Sequence, residues 1–246
     1  MKRVAIFGAT SAIAAEVAAL CVARGDRVHL VGRNPAKLAA LCARLDSERV
    51  SHALADFDDL AAGARAVEHA LDTLGSIDAV LVAHGLLGDQ LLSESEVAHA
   101  HAILHTNLTS VVALLVPLAN HMEKAGAGSL AVITSVAGDR GRPRNYTYGA
   151  AKGALNIYLQ GLRTRLYARG VAVTTLKLGP VHTPMTVDHP KNVLFAEPRP
   201  VAQDILDAMD ARAAEVYLPA KWSAIMGLVK NAPEFVVQRF PFLSGR

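Results

Sequence analysis

The chain reads as an α/β protein, a doubly wound parallel sheet of seven strands with helices on both faces and a short helical tail. Three observations predict this. Apolar strand-like runs alternate with helical segments to about residue 218 with no linker or repeat between them. The N-terminus passes from an apolar run through a turn straight into an alanine-rich helix. Finally, 246 residues, 52% hydrophobic and 19% charged, suit one large core. The predicted strands are 3–7, 27–32, 49–54, 77–83, 129–134, 171–178 and 215–218, and the helices 13–24, 35–45, 57–74, 95–125, 148–169 and 201–214. Residues 1–218 form the domain proper, and 219–246 are an amphipathic extension of it.

The first unit, Arg3-Val4-Ala5-Ile6-Phe7 followed by Gly8-Ala9-Thr10-Ser11-Ala12-Ile13-Ala14, is a buried strand, a tight turn and the opening of a helix. Such a turn sets a dinucleotide pyrophosphate on a helix N-terminus, with backbone N–H groups and the Thr10 and Ser11 hydroxyls facing it. Only Gly8 is glycine; Ala12 and Ala14 stand where a glycine-rich turn carries two more. Met1-Lys2-Arg3 and the apolar stretch behind it imitate a secretory signal, but a strand and a Gly-Ala-Thr-Ser turn interrupt the stretch. Two cysteines, Cys21 and Cys42, are too few for a disulfide framework. A cytoplasmic protein is the expectation. A net charge of +3, carried by scattered basic residues, argues against nucleic-acid binding.

Further along, His99, His101 and His105 crowd the helix 95–125, but no acidic or cysteine partner at metal-ligand spacing completes them, so no metal is expected. Ser135 ends the fifth strand, Tyr148 follows thirteen residues later, and Lys152 lies four beyond it. Four residues is about one helical turn, so the phenol and the ammonium share a face, where the cation should lower the tyrosine's pKa and make it a proton donor. Tyr217 and Lys221 repeat the spacing, but Pro219 interrupts them and Asp204, not a hydroxyl, stands thirteen residues before.

With those residues on one sheet, the chain resembles the short-chain dehydrogenase/reductase family over essentially residues 1–218, with its Rossmann-type fold. The resemblance implies a phosphate loop at Gly8, Thr10, Ser11, Ala12 and Ile13, an adenine-reading acid at Asp56 with Phe57 beside it, and a cofactor-facing strand end at Ala83, His84 and Gly85. It implies that Asn107 holds a water for proton relay, that Ser135, Tyr148 and Lys152 are catalytic, and that Val181 and Thr183 grip the nicotinamide carboxamide. Departures are Val82-Ala83-His84-Gly85 in place of Asn-Asn-Ala-Gly, and Leu178 in place of proline before Gly179. His84, near the cofactor, is expected to be structural. At the end of the second strand Gly32 replaces the acid of an NAD site and Arg33 follows it, which suits a 2′-phosphate and predicts NADPH/NADP+. Hydride would pass from the B face of NADPH to a ketone. The alternatives are an enzyme of the same family acting on a small soluble or acyl ketone, and a non-catalytic NADPH-binding regulator on the same fold.

The substrate is less legible. The segment 183–200 mixes Met185, Val187, Val193, Leu194 and Phe195 with His189, Lys191 and Arg199. Arg140, Arg142 and Arg144, between Ser135 and Tyr148, suit an anionic substrate. That loop, Ala83 to Asp89 and the tail also resemble bacterial decaprenylphosphoryl-2-keto-erythro-pentose reductases, which implies a lipid-linked or phosphorylated keto-sugar. The tail, with Trp222, Ile225, Met226, Leu228, Val229, Phe235, Val236, Val237, Phe240 and Phe242 among Lys221, Lys230, Arg239 and Arg246, suits the inner membrane face, a wall beside the active-site mouth, or packing on the body. Helix 148–169 and the apolar stretch of 95–125 around Val111 to Val116 predict a homo-oligomer.

Overall fold

An apolar strand with an apolar neighbour on each side belongs in the middle of a sheet, and the first strand is there. The computed structural model describes residues 1–187 and 192–239. In chain order the first half is β1 (Arg3–Phe7), α1 (Ala12–Ala23), β2 (Arg27–Gly32), α2 (Pro35–Leu45), β3 (Val50–Leu54), α3 (Leu60–Leu74) and β4 (Ala79–Val82). The second half is α4 (Gln90–Ser95), α5 (Val97–Leu104), α6 (Ser110–Ala125), β5 (Gly128–Ser135), α7 (Tyr146–Tyr167), β6 (Val171–Leu178), α8 (Pro198–Asp210) and β7 (Glu215–Leu218), followed by α9 (Lys221–Asn231) and α10 (Glu234–Arg239). All strands are parallel, in the order β3-β2-β1-β4-β5-β6-β7. The order reverses between β1 and β4, which opens a crevice at the carboxyl ends of the strands.

Each face of the sheet buries its own apolar layer. On one, Leu114, Leu118 and Leu155 of α6 and α7 pack with α3; on the other, Val17, Leu38 and Ile205 join α1, α2 and α8. Each of these side chains contributes about 1.5–3 kcal/mol by leaving water. All seven predicted strands form, with ends shifted by a residue or two.

The helices differ more from the expectation. The predicted helix 95–125 is α5 and α6 joined by a π-turn at His105–Thr109. Asn107 in that turn donates to the carbonyls of Ile103 (2.8 Å) and Leu86 (2.6 Å), so the widened turn seats a side chain that ties the helix to the end of β4. Residues 97–125 are long and apolar enough to span a membrane by composition, with a mean hydropathy of 1.7 over the most apolar 18 residues, but 44% of that window is buried in the protein. The predicted helix 57–74 starts at Leu60, capped by Asp59, because Phe57 is drawn into the core before it. The helix predicted at 148 begins at Tyr146, and the one predicted at 201–214 runs from Pro198, well placed in a first turn, to Asp210.

The tail packs on the body. Trp222 and Met226 of α9 bury against Val136, and Val237 of α10 is buried as well. Arg140 stitches the connection, donating to the Ala232 carbonyl at 2.6 Å and pairing with Glu234 at 2.6 Å. Leu228 and Phe235 point outward. His189, Lys191, Phe240, Phe242 and Arg246 lie outside the described residues.

Candidate active site

A cleft of about 720 Å³ opens over the crevice between β1 and β4 and runs on to the carboxyl ends of β5 and β6. At one end the β1–α1 turn lies pressed on the end of β4. Gly8 has φ +84°, and a Cβ there would sit 2.5 Å from the backbone nitrogen of His84, so the close approach requires glycine. Ser11 caps α1 by accepting from the Ala14 N–H at 3.1 Å, while Ala12 and Ile13, whose N–H groups have no partner within the helix, face the cleft with Thr10. This is an anion cradle of the kind that holds a pyrophosphate, and the residues present fit a dinucleotide.

Beyond the turn, Arg33, Asn34 and Lys37 form the wall at the end of β2. Arg33 is mostly exposed and only 3.5 Å from the Asp58 carboxylate, a weak surface pairing. Lys37, in the first turn of α2, joins this wall without having been expected from the sequence. Asp56, Phe57, Ala83, His84 and Gly85 line the floor, and Val181 and Thr183 the far wall. Phe57 props the His84 ring from behind at 4.6 Å. Ser110 Oγ donates to the Thr106 carbonyl, so the His84 Nε2–H donates to Ser110 at 2.9 Å. Burial first, then the nearby Lys152 and Arg33 cations, push the imidazole down to about 3. A histidine held neutral in this way is a structural one.

Ser135, Tyr148 and Lys152 come together on the wall of this cleft. Ser135 Oγ accepts from the Ala137 N–H at 3.1 Å and donates to the Leu178 carbonyl at 3.4 Å. Lys152 is buried, donates to the Ile133 carbonyl at 3.2 Å, and holds its Nζ 5.8 Å from the centre of the Tyr148 ring. The expectation that the ammonium lowers the tyrosine's pKa does not hold. Burial raises the phenol to about 12, only partly offset by Ser135, and burial lowers Lys152 to about 8. Desolvation of both groups outweighs their mutual influence at this separation.

Of the residues predicted for the site, Asn107 alone is not on the cleft wall. It lies just beneath: a Cβ on Gly85 would be 2.8 Å from Asn107 Oδ1 and 3.5 Å from Lys152 Nζ, so glycine keeps the two in register. Behind Ser135 is a buried network that sequence reading did not reveal. Lys177 pairs with Asp139 at 2.7 Å and Glu215 at 2.8 Å, and Tyr217 donates to Asp139 at 2.6 Å. Burial lowers the Lys177 pKa, but those two carboxylates outweigh it and hold the ammonium above its ordinary value. Tyr217 is thereby committed to structure, and Lys221 donates elsewhere, to the Val193 carbonyl at 2.8 Å. The three clustered histidines are also engaged: His99 accepts from the Asp89 N–H, His105 donates to the Asp58 carbonyl, and His101 stacks on His105.

A doubly wound sheet with a dinucleotide cradle, and a serine, a tyrosine and a lysine gathered beyond it, defines an α/β oxidoreductase. The chain belongs to the short chain dehydrogenase family, whose model matches residues 2–193. It is a nicotinamide nucleotide-dependent enzyme acting on CH–OH and C=O groups. Over 244 residues it is 36% identical to "Uncharacterized oxidoreductase Rv2073c" of Mycobacterium tuberculosis, covering 97% of this chain and 96% of that one. Among solved structures, an actinorhodin polyketide ketoreductase with NADPH superposes with a TM-score of 0.79 at 21% identity, covering 94% of this chain and 98% of that one. A 3-ketoacyl-(acyl-carrier-protein) reductase from Brucella melitensis, complexed with NADH, superposes at 0.81 with 20% identity, covering 89% and 97%. At these identities the two structures speak for the fold.

Proposed function

We propose that this protein is an NADPH-dependent ketoreductase that converts a ketone to a secondary alcohol with Tyr148 as proton donor. The observation that carries the reading is the gathering of Ser135, Tyr148 and Lys152 on one wall of a cleft whose other end is the dinucleotide cradle. When bound, the reduced nicotinamide nucleotide supplies hydride to the carbonyl carbon. Tyr148 gives its proton to the developing alkoxide, and Ser135 hydrogen-bonds the same oxygen. Lys152, charged, steadies the phenolate left behind and holds the ribose hydroxyls; Asn107 supports the water that returns the proton. A phenol held near 12 stays protonated at any physiological pH, the state that donates a proton in the reductive direction. Oxidation of NADPH with a panel of ketones tests the activity.

The pH profile should follow Lys152. Its ammonium is present below about 8 and lost above, whereas the phenol keeps its proton to about 12. Thus kcat/KM for reduction should be level at lower pH and decline as pH rises through about 8. A profile flat from there to pH 10 or so would remove Lys152 from the charge-bearing role.

The nucleotide preference rests on Gly32, which has no acid to bind a ribose 2′-hydroxyl, and on the cationic pair Arg33 and Lys37. Arg33→Ala should weaken NADPH binding roughly 10–100-fold and leave NADH nearly unaffected. Equal losses for both nucleotides, measured by fluorescence titration, would refute it.

Two peripheral features belong to this reading. Exposed Val116 on α6 and Ile157 on α7 support self-association. Exposed Leu228 and Phe235, beside Lys230 and Arg239, support contact of the tail with an anionic membrane surface and a lipid-linked ketone. The variant Leu228→Ser/Phe235→Ser leaves the buried face of α9 intact and should lose sedimentation with anionic liposomes. Unchanged sedimentation means that the tail is structural only.

A further inference from the structure

We propose that Gln90 is a positioning residue for the proton donor: its amide oxygen, reaching across from α4, caps α7 and holds Tyr148 in place beside Ser135. The inference rests on the ketoreductase reading and deepens it, because it names what fixes the donor where that reading needs it.

An α-helix leaves its first N–H groups without partners in the helix, and the residue at the N-cap ordinarily receives one of them with its own side chain. In α7 that residue is Asn145, whose carbonyl accepts from the Gly149 N–H at 2.8 Å. Its side chain makes no capping hydrogen bond and lines the cleft instead. Tyr146, Thr147 and Tyr148 are the first three residues of the helix, so the proton donor sits in a turn that frays unless it is capped. Thr147 is buried, which leaves water a poor substitute for the missing cap. Its N–H donates to Gln90 Oε1 at 3.0 Å, on a residue 57 positions earlier in the chain. Gln90 thus does for the second residue of α7 what a local N-cap side chain does in other helices.

The Gln90 amide is turned by this contact. Its Nε2 is buried with no partner among the described residues, and an N–H opposite it requires the oxygen on that side, so the orphaned NH2 is the cost of the cap. The short helix that carries Gln90 is itself fastened. Asp89 caps α4 by accepting from the Leu91 and Leu92 N–H groups at 2.8 and 3.3 Å, and its own N–H donates to His99 of α5 at 3.0 Å. Farther along, α7 lies on the turn that follows Ser135: a Cβ on Gly149 would be 2.8 Å from the Ala137 carbonyl oxygen, and one on Gly153 2.9 Å from that of Gly138. Two contacts therefore hold Tyr148, the cap from α4 and this close backbone approach to the segment that carries Ser135. A reacting group displaced by about 1 Å loses on the order of 10²-fold in rate, so loss of the cap should appear in kcat and not in binding.

The test compares Gln90→Met, which keeps the length of the side chain and loses the acceptor, with Gln90→Glu, which keeps the acceptor and adds a charge that a helix N-terminus favours. Amide exchange, read by NMR on the full chain saturated with NADP+, needs no ketone. In Gln90→Met the Thr147 and Tyr148 N–H groups should exchange about 2–30-fold faster, the range that follows from loss of a cap, and in Gln90→Glu at the wild-type rate. With NADPH and the panel ketone that the wild type reduces fastest, Gln90→Met should lower kcat about 10–100-fold while KM and NADPH affinity stay within about twofold. Gln90→Glu should restore kcat. Unchanged exchange or unchanged kcat in Gln90→Met overturns the proposal, and so does an equal loss in both variants, which would assign the effect to the NH2 group and not to the oxygen. A fall in NADPH affinity alongside kcat marks a general loss of structure and overturns it as well. Should no ketone be reduced, the ketoreductase reading fails, whereas the exchange rates still decide whether Gln90 orders the turn that holds Tyr148.

Discussion

Tyr148→Phe should abolish ketone reduction while leaving NADPH affinity nearly unchanged. The aromatic ring remains to fill the cleft wall, so only the hydroxyl is lost, and with it the proton donor. Removing a general acid costs about 10²–10⁴-fold, and among the described residues no second donor is placed to take over. His84 is near but held neutral at about 3, with its Nε2–H committed to Ser110. Tyr217 is bound to Asp139 and does not line the cleft. Stopped-flow reduction with NADPH at saturation is the measurement. A variant retaining more than about a tenth of the wild-type rate would show that Tyr148 is not the acid.

Lys177→Met should produce the largest loss of stability. Lys177 and Asp139 are both almost fully buried, 4% and 3% exposed in their side chains, and among the described residues removing the ammonium leaves the Asp139 carboxylate with the Tyr217 hydroxyl as its side-chain partner. An uncompensated buried charge costs about 3–5 kcal/mol, readable as a lower midpoint in urea. Lys177→Met/Asp139→Leu should recover much of that, because desolvating an ion pair is itself expensive. A loss below about 1 kcal/mol in the single variant would mean that water reaches the pair and it behaves as a surface one.

The same network shows why parts of the site were hidden in the sequence. Asp139, Lys177, Glu215 and Tyr217 come from the turn after β5, from β6 and from β7, and no local spacing joins them. Trp222 likewise reads in the sequence as one apolar residue of a tail; its place on the cleft wall depends on how α9 folds back over Val136. Lys37 reaches the same wall as Arg33 only because α2 starts directly after β2 and turns its first residues toward the cleft.

The chain order of strands and helices, the β1–α1 turn and the serine, tyrosine and lysine of the cleft were determined by the sequence itself. Each depends on interactions within a few residues: alternating apolar runs, a glycine at positive φ, and one turn of helix between Tyr148 and Lys152. Tertiary structure alone decided the direction of the Tyr148 pKa, the π-turn that seats Asn107, and which of three equally spaced arginines faces the cleft. Those outcomes turn on desolvation and on partners brought from distant segments. Burial of Tyr148 outweighs an ammonium 5.8 Å from its ring, and Arg140 is removed from the cleft by carbonyls some ninety residues away.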